Sequence, residues 1–318
     1  MFQNLLVPLD GSRMAESALA AAAYLAPRLR ARVTLMHCIE RAAPATVHGE
    51  HHLREPEEAR AYLEDAAARA FPPGAEIACH THAPEIADVA PSILEHAKEM
   101  PATLIVMCTH GRSGLGNLLF GSIAQRIVGS GATPVLLVPP FFADLSAVAS
   151  SEAEAAAGKP DERGHEFTCR RLLVPLDGDP AHEQALPVAG ELAAACRSEI
   201  HLVFVVATRG SLPGNDAAVG LLLPRATRAV LEIARQEAEA YLAGHIQCQQ
   251  AGGHTVTSEV CRGDVRKAIG RAAQRSGADL IVMATHRKEA MDAFWSGSVA
   301  PRVASYANRP LLLVPITE

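Results

Sequence analysis

Aromatic residues are scarce in this chain, at 4% of 318 positions with a single tryptophan. Stacking platforms for single-stranded nucleic acid need more of them. Positive charge is not in excess either. The net charge is −6 and the sequence pI about 6.2, so no global basic surface is offered to nucleic acid or to an anionic membrane. No uncharged run reaches the ~18 residues of a membrane-spanning helix. The seven cysteines (Cys38, Cys79, Cys108, Cys169, Cys196, Cys248 and Cys261) are odd in number and include no Cys-x-x-Cys pair, which speaks against a disulfide framework or a structural zinc site. Met1-Phe2-Gln3-Asn4 lacks a basic start and Asp10 interrupts the first apolar run. No signal peptide is therefore expected, and a reducing cytoplasm is the expected compartment. A phosphate loop ending in Gly-Lys-Ser/Thr and a clean Gly-x-Gly-x-x-Gly after the first strand are also missing.

What the chain does have is an internal copy of itself. Leu5-Leu6-Val7-Pro8-Leu9-Asp10-Gly11 returns as Leu172-Leu173-Val174-Pro175-Leu176-Asp177-Gly178. Pro134-Val135-Leu136-Leu137-Val138-Pro139 returns as Pro310-Leu311-Leu312-Leu313-Val314-Pro315. The period is domain-sized, so this is a duplication and not a solenoid. The division expected is a first domain over 1–142, a flexible linker over 143–168 rich in Ala, Glu, Ser and Gly, and a second domain over 169–318.

Each half alternates strands and helices. In the first, residues 4–9 form a short apolar run closed by Asp-Gly, as suits a buried parallel strand. Ala15, Leu19, Ala22, Leu25 and Leu29 share one face of the helix that follows, with Ser12 as its cap. Further strands are expected at 33–39, 75–81, 103–108 and 134–139, and helices at about 56–70 with Pro56 in the first turn, 85–99 and 121–130. Second-half strands are expected near 171–176, 199–206, 255–261, 279–284 and 310–315. Its first helix should begin at Asp179-Pro180 and be kinked by Pro187. Each half is thus α/β and doubly wound, with a five-stranded parallel sheet.

The chemistry gathers at Thr109-His110-Gly111-Arg112-Ser113-Gly114-Leu115-Gly116, which leaves the strand Leu104–Cys108 and leads to a helix opening at Gly121-Ser122. A helix N-terminus presents unpaired N–H groups to an anion, and the Ser122 hydroxyl adds a donor. Gly111 and Gly121 let backbone approach a ligand without a Cβ. Ligands in open parallel sheets lie at the carboxyl ends of strands, beside a switch point. Candidate walls are therefore Pro8, Leu9 and Asp10, then Cys38 and Ile39, then Met107 and the loop after it. An adenine would lie on the apolar rim, and the Asp10 carboxylate would hold ribose hydroxyls or a base amino group.

Taken together, Leu-Val-Pro-Leu-Asp-Gly, Leu-Met-His-Cys, Leu-Ile-Val-Met, Thr-His-Gly-Arg-Ser-Gly-Leu, Gly-Ser and Pro-Val-Leu-Leu-Val-Pro resemble a tandem universal stress protein, over nearly everything but the linker and two excursions. The resemblance implies two Rossmann-like, adenine nucleotide alpha hydrolase-like domains paired through their last strands, Val135 to Val138 against Leu311 to Val314, with a homodimer as a further step. The ATP-binding branch of that family has Gly, two residues, Gly, nine residues, then Gly-Ser/Thr. Those positions are Cys108, Gly111 and Gly121-Ser122 in the first half, and Ala284, Arg287 and Gly297-Ser298 in the second. The resemblance implies ATP (ADP and AMP being alternatives, with Mg as a companion ion) held in the first half by Pro8, Leu9, Asp10, Cys38, Met107, Cys108, His110, Gly111, Arg112, Gly121 and Ser122. It implies a stress-response regulator and not an efficient enzyme. Slow ATP hydrolysis, or an interaction module that binds no nucleotide, are the alternatives. A related pyrophosphatase class would show Ser-Gly-Gly-x-Asp-Ser where this chain has Asp10-Gly11-Ser12-Arg13.

Other signals have plain readings. His48, His51 and His52 lie with Glu50 in the first excursion, as metal ligands or as a solvated loop. His80 and His82 share one strand face; with His37 they would make a metal or pH-sensitive patch, or simply a solvated edge. Cys38 and Cys108 would be a redox pair or buried inert thiols. His110 and His286 occupy equivalent loops, and Trp295 should pack.

Overall fold

Leu5, Leu6 and Val7 are each at most 1% exposed, the mark of a strand covered on both faces. The computed structural model describes residues 2–41, 46–47, 50–109, 121–130, 133–140, 167–212, 222–286 and 299–317, with side chains at all of these except 46, 47, 50, 51, 83–85 and 305. In the first half the strands are β1 (Asn4–Pro8), β2 (Arg32–Glu40), β3 (Thr46–Val47), β4 (Glu50–His51), β5 (Ile77–Ile86), β6 (Leu104–Cys108) and β7 (Val135–Val138). Its helices are α1 (Ser17–Leu29), α2 (Pro56–Ala70), α3 (Val89–Glu99) and α4 (Ser122–Ser130). The second half has β8 (Arg171–Leu176), β9 (Glu199–Val206), β10 (Val256–Arg262), β11 (Leu280–Thr285) and β12 (Leu311–Pro315), with α5 (Ala185–Cys196), α6 (Pro224–Ala251), α7 (Val265–Ser276) and α8 (Ala300–Ala307).

Each half builds a parallel five-stranded sheet, β5-β2-β1-β6-β7 and β10-β9-β8-β11-β12. The two are joined into one ten-stranded sheet by the antiparallel pairing of β7 with β12, Leu312 opposite Leu136 and Leu313 opposite Val135. The expected seam is therefore present. Side-chain alternation sends Leu5, Val7, Leu104 and Val106 to one face and Leu6, Ile105 and Met107 to the other, where two apolar cores run through both halves. On the first face, Tyr24 of α1 meets Phe167 edge-on at 5.5 Å between ring centres, and Phe2 N–H donates to Glu191 of α5.

Local chemistry explains the joints. Gly11 and Gly178, at equivalent turns after β1 and β8, both have φ +88°, a conformation open to glycine. Pro56 opens α2 at its first position, with Glu57 and Glu58 behind it. Arg69 of α2 reaches Glu16 ahead of α1 at 3.0 Å, and Arg126 of α4 pairs with Asp88 ahead of α3.

Four expectations need correction. Ser12 does not cap α1, which starts at Ser17 behind Glu16; its hydroxyl accepts from the Ala15 N–H in the turn ahead of the helix. Pro187 does not kink a helix. The α-helix starts at Ala185, behind a 3₁₀ turn over His182–Gln184, so Pro187 falls in the first turn, where its missing N–H has no partner to lose. Strand β5 runs on to Ile86, so α3 starts at Val89. The first excursion contains a small antiparallel pair, β3 with β4. Residues 143–166 of the linker, and Trp295, lie outside the described residues, while Phe167 at the linker's end is buried.

Candidate functional site

The crevice of the first half opens where β1, between β2 and β6, ends. Pro8, Leu9 and Asp10 supply one wall, Met36, Cys38 and Glu40 of β2 another, and Met107 and Cys108 the floor from β6. Val89 and Ile93 of α3 and Ile123 of α4 close it, around a cavity of about 50 Å³. Asp10 is fixed in place, because it accepts hydrogen bonds from the Ser12 N–H at 3.0 Å and the Ser12 hydroxyl at 2.7 Å. Ser12 Oγ in turn accepts from the Ala15 N–H at 3.2 Å. The arrangement is a carboxylate at the rim of a largely apolar slot beside the first turn of α4.

The second half has its own crevice at the ends of β8 and β11. It is lined by Pro175, Leu176, Asp177, Val205, Val265, Ile269, Met283, Ala284 and Val299, with a cavity of about 310 Å³. Position by position this is the same site, with changes that alter its chemistry, among them the loss of the Glu40 carboxylate, where Ala207 stands. Val205 stands where the first half has Cys38, Ala284 where it has Cys108, and His182 where it has Ala15. His182 Nδ1 lies 2.8 Å from both carboxylate oxygens of Asp177, and its Nε2 is 3.1 Å from Nε2 of His286. With Nδ1–H donated to Asp177, Nε2 of His182 is left to accept from His286.

The predicted residues divide cleanly. Pro8, Leu9, Asp10, Cys38, Met107 and Cys108 are brought together in the first crevice. Gly121 and Ser122 stand next to its wall residue Ile123 at the start of α4, with Ser122 exposed, and do not themselves line it. His110, Gly111 and Arg112 lie outside the described residues, as do Ser113, Arg287 and the Gly297-Ser298 pair. Met36, Glu40, Val89, Ile93 and Ile123 were not foreseen. Met36 and Glu40 carry a readable signal, since they share the β2 face with Cys38 by alternation. Glu40 places a second carboxylate in the crevice.

The thiols here are not reactive. Burial pushes Cys38 up to about 11 and Cys108 to about 12, the latter helped by the nearby Asp10 charge. Both stay protonated at neutral pH, and a thiol is a poor nucleophile. His37 does not join His80 and His82. Its ring nitrogens face Leu9 O at 2.8 Å and Leu53 O at 3.3 Å, on the other side of β2. His52 is buried and not solvated, 3.9 Å from Glu40. His48 is outside the described residues, and so is the side chain of His51.

The model of the Universal stress protein family matches residues 1–139 and again residues 168–315. Universal stress protein YxiE of Bacillus subtilis is 33% identical over 153 residues, which covers 43% of this chain and 99% of that protein. A universal stress protein of Thermus aquaticus is 34% identical over 146 residues, again 43% of this chain and 99% of the relative. Each relative is thus matched along nearly its whole length by about half of this chain. Among solved structures, a universal stress protein from Archaeoglobus fulgidus aligns over 100% of this chain and 98% of its own, at TM-score 0.62 and 17% identity. That last likeness concerns the fold.

Proposed function

Since the chain belongs to the universal stress protein family, as two of its domains in tandem, we propose that it binds an adenine nucleotide, ATP foremost, in the first-half crevice. The observation that carries this reading is Asp10, locked by Ser12 at the end of β1 beside an apolar slot. The donor set fits such a ligand. Met36, Ile93, Met107 and Ile123 offer apolar contact to a purine, and Asp10 accepts hydrogen bonds from hydroxyl or amino groups. The first turn of α4 offers helix N-terminal N–H groups and the Ser122 hydroxyl to phosphate. Asp10 and Glu40 are the carboxylates on hand for a companion Mg ion.

On this reading the protein is a cytoplasmic regulator whose bound nucleotide biases its conformation or its choice of partner. Hydrolysis, where it occurs, is slow, because the sequence has no phosphate-loop Gly-Lys-Ser/Thr whose lysine would stabilise a transferring phosphoryl group. Among the described residues no helix is long and apolar enough to cross a membrane. Further pairing of chains into a homodimer belongs to the same proposal.

One observation favours a second reading. The second-half cavity is the larger, about 310 against 50 Å³, and its Asp177–His182–His286 array would present an imidazole to an anionic ligand. Nucleotide occupancy in the second half is the alternative it supports. Purified protein is denatured and the released small molecules are separated by chromatography. Stoichiometric ATP, ADP or AMP supports nucleotide binding; no release together with no binding at millimolar ATP rejects it for both halves.

A further inference from the structure

Strand β5 is an outer edge of the ten-stranded sheet. His80 and His82 lie two residues apart on it, so they share a face. Register fixes which one. His80 sits beside Met36 and His82 beside Cys38, residues that face the core under α3. From α3 comes a third imidazole. His96 is 7% exposed, with its ring centre 4.8 Å from that of His80 and 4.7 Å from that of His82. His82 Nδ1 and His96 Nε2 are 3.1 Å apart, and one nitrogen from each of the three rings lies within 4.8 Å of the others. None of the three lines the crevice.

As a packed core this cluster is poorly satisfied. His80 Nε2 is buried without a hydrogen-bond partner, an arrangement that costs free energy unless something is bound. Glu99, on the next turn of α3, brings a carboxylate oxygen to 3.7 Å from His96 Nδ1. That is the place of a carboxylate that orients a metal-bound histidine through its other ring nitrogen.

The second half shows that the fold does not require this. By register, Pro8 pairs with Met36 and Met36 with His80, while Pro175 pairs with Val203 and Val203 with Glu259. Glu259 therefore occupies the place of His80, and Cys261 that of His82. There the space is closed by charge: Arg275 from α7 lies 2.9 Å from Glu259 and donates to Cys261 Sγ at 3.3 Å. His201 Nε2 stands 3.3 Å from Glu259 as well. The second half carries its own cation at this position. The first half has three imidazoles and no cation among them.

We propose that His80, His82 and His96 form a binding site for a divalent first-row transition metal ion, zinc foremost, with Glu99 orienting His96. Neutral imidazole suits zinc and its neighbours. Two ligands about 2.0–2.1 Å from a tetrahedral zinc lie roughly 3.3 Å apart, close to the separation already present between His82 and His96. The bound ion would tie the edge strand β5 to α3. Three imidazoles leave the fourth position to water or another ligand.

The test is titration of the full chain with CoCl₂ followed by visible absorption, and with ZnCl₂ followed by calorimetry and thermal unfolding. His182 and His286 form a second cluster with Asp179, so His182→Ala serves as the control. The expected result is one ion per chain giving tetrahedral cobalt bands, and a Tm raised by about 5 °C in excess zinc. Both signals should survive His182→Ala and disappear in His82→Ala and in the milder His80→Gln, each checked for native circular dichroism. Glu99→Gln should weaken zinc about tenfold. No saturable binding by the wild-type chain, or binding lost in His182→Ala and kept in His82→Ala and His80→Gln, overturns the proposal.

Discussion

Ser12 holds Asp10 by two hydrogen bonds, from its backbone N–H at 3.0 Å and its hydroxyl at 2.7 Å. The carboxylate at the rim of the first crevice is thus oriented before any ligand arrives. Preorganisation of this kind should show in affinity. Ser12→Ala removes the hydroxyl donor, worth about 1 kcal/mol. ATP should then bind roughly fivefold more weakly, and the protein should lose a similar amount of stability. Calorimetry and urea unfolding measure the two effects; an unchanged Kd would mean that Asp10 orientation does not matter.

Cys108 stands where the ATP-binding branch of the family has glycine, on the floor of the smaller crevice. Cys108→Gly should tighten ATP binding by roughly tenfold, the lower end of what one buried group decides in an apolar pocket. Stability should fall by about 1–2 kcal/mol, because a strand loses a buried side chain. A Kd that does not move would show that the first half is not limited by this side chain.

Alkaline pH should unfold the protein through its buried thiols. Cys38 and Cys108 are raised from an ordinary 9.0 to about 11 and about 12. Above pH 9 the unfolded chain releases protons that the folded one keeps. The stabilisation they give is therefore complete below pH 9 and lost as pH rises towards 11 and 12. Urea midpoints should fall between pH 9 and 11, and Cys38→Ala should flatten that fall. Thiol reagents at pH 7.5 should leave both residues unmodified in the native state.

The seam between halves is the pairing of Leu312 with Leu136, each 1% exposed. Leu312→Asp places a carboxylate in that apolar contact and should cost at least about 3 kcal/mol. Loss of coupling should also split denaturant unfolding into two steps, one per half. A single, barely shifted transition would contradict the seam as a source of stability.

Much of this was legible in the sequence because the relevant signals are local. The duplicated Leu-Leu-Val-Pro-Leu-Asp-Gly and the apolar runs at 104–108 and 311–314 announce buried parallel strands, and the strands were found there. The Asp10 rim was legible for the same reason, since it ends the first such run. Signals that depend on which faces meet were not legible. His96 lies on a helix, and nothing in its spacing from His80 says that α3 crosses β5 at that turn; His37, nearer in the pattern, points to the opposite side of β2. The strand expected to end at 81 runs on to Ile86 through Pro84, at the sheet edge, where a missing N–H is tolerated. Pro187 looked like a kink because the 3₁₀ turn ahead of α5 leaves no mark in the pattern.

The central claim is that the working nucleotide site is in the first half. Calorimetric titration of ATP into wild-type protein, Asp10→Ala and Asp177→Ala tests it most directly. The account predicts one site per chain in the wild type, affinity lowered about 10- to 100-fold in Asp10→Ala, as for a lost hydrogen bond to a charged group, and little change in Asp177→Ala. Binding that survives Asp10→Ala and vanishes in Asp177→Ala would contradict it and move the site to the larger crevice around His182.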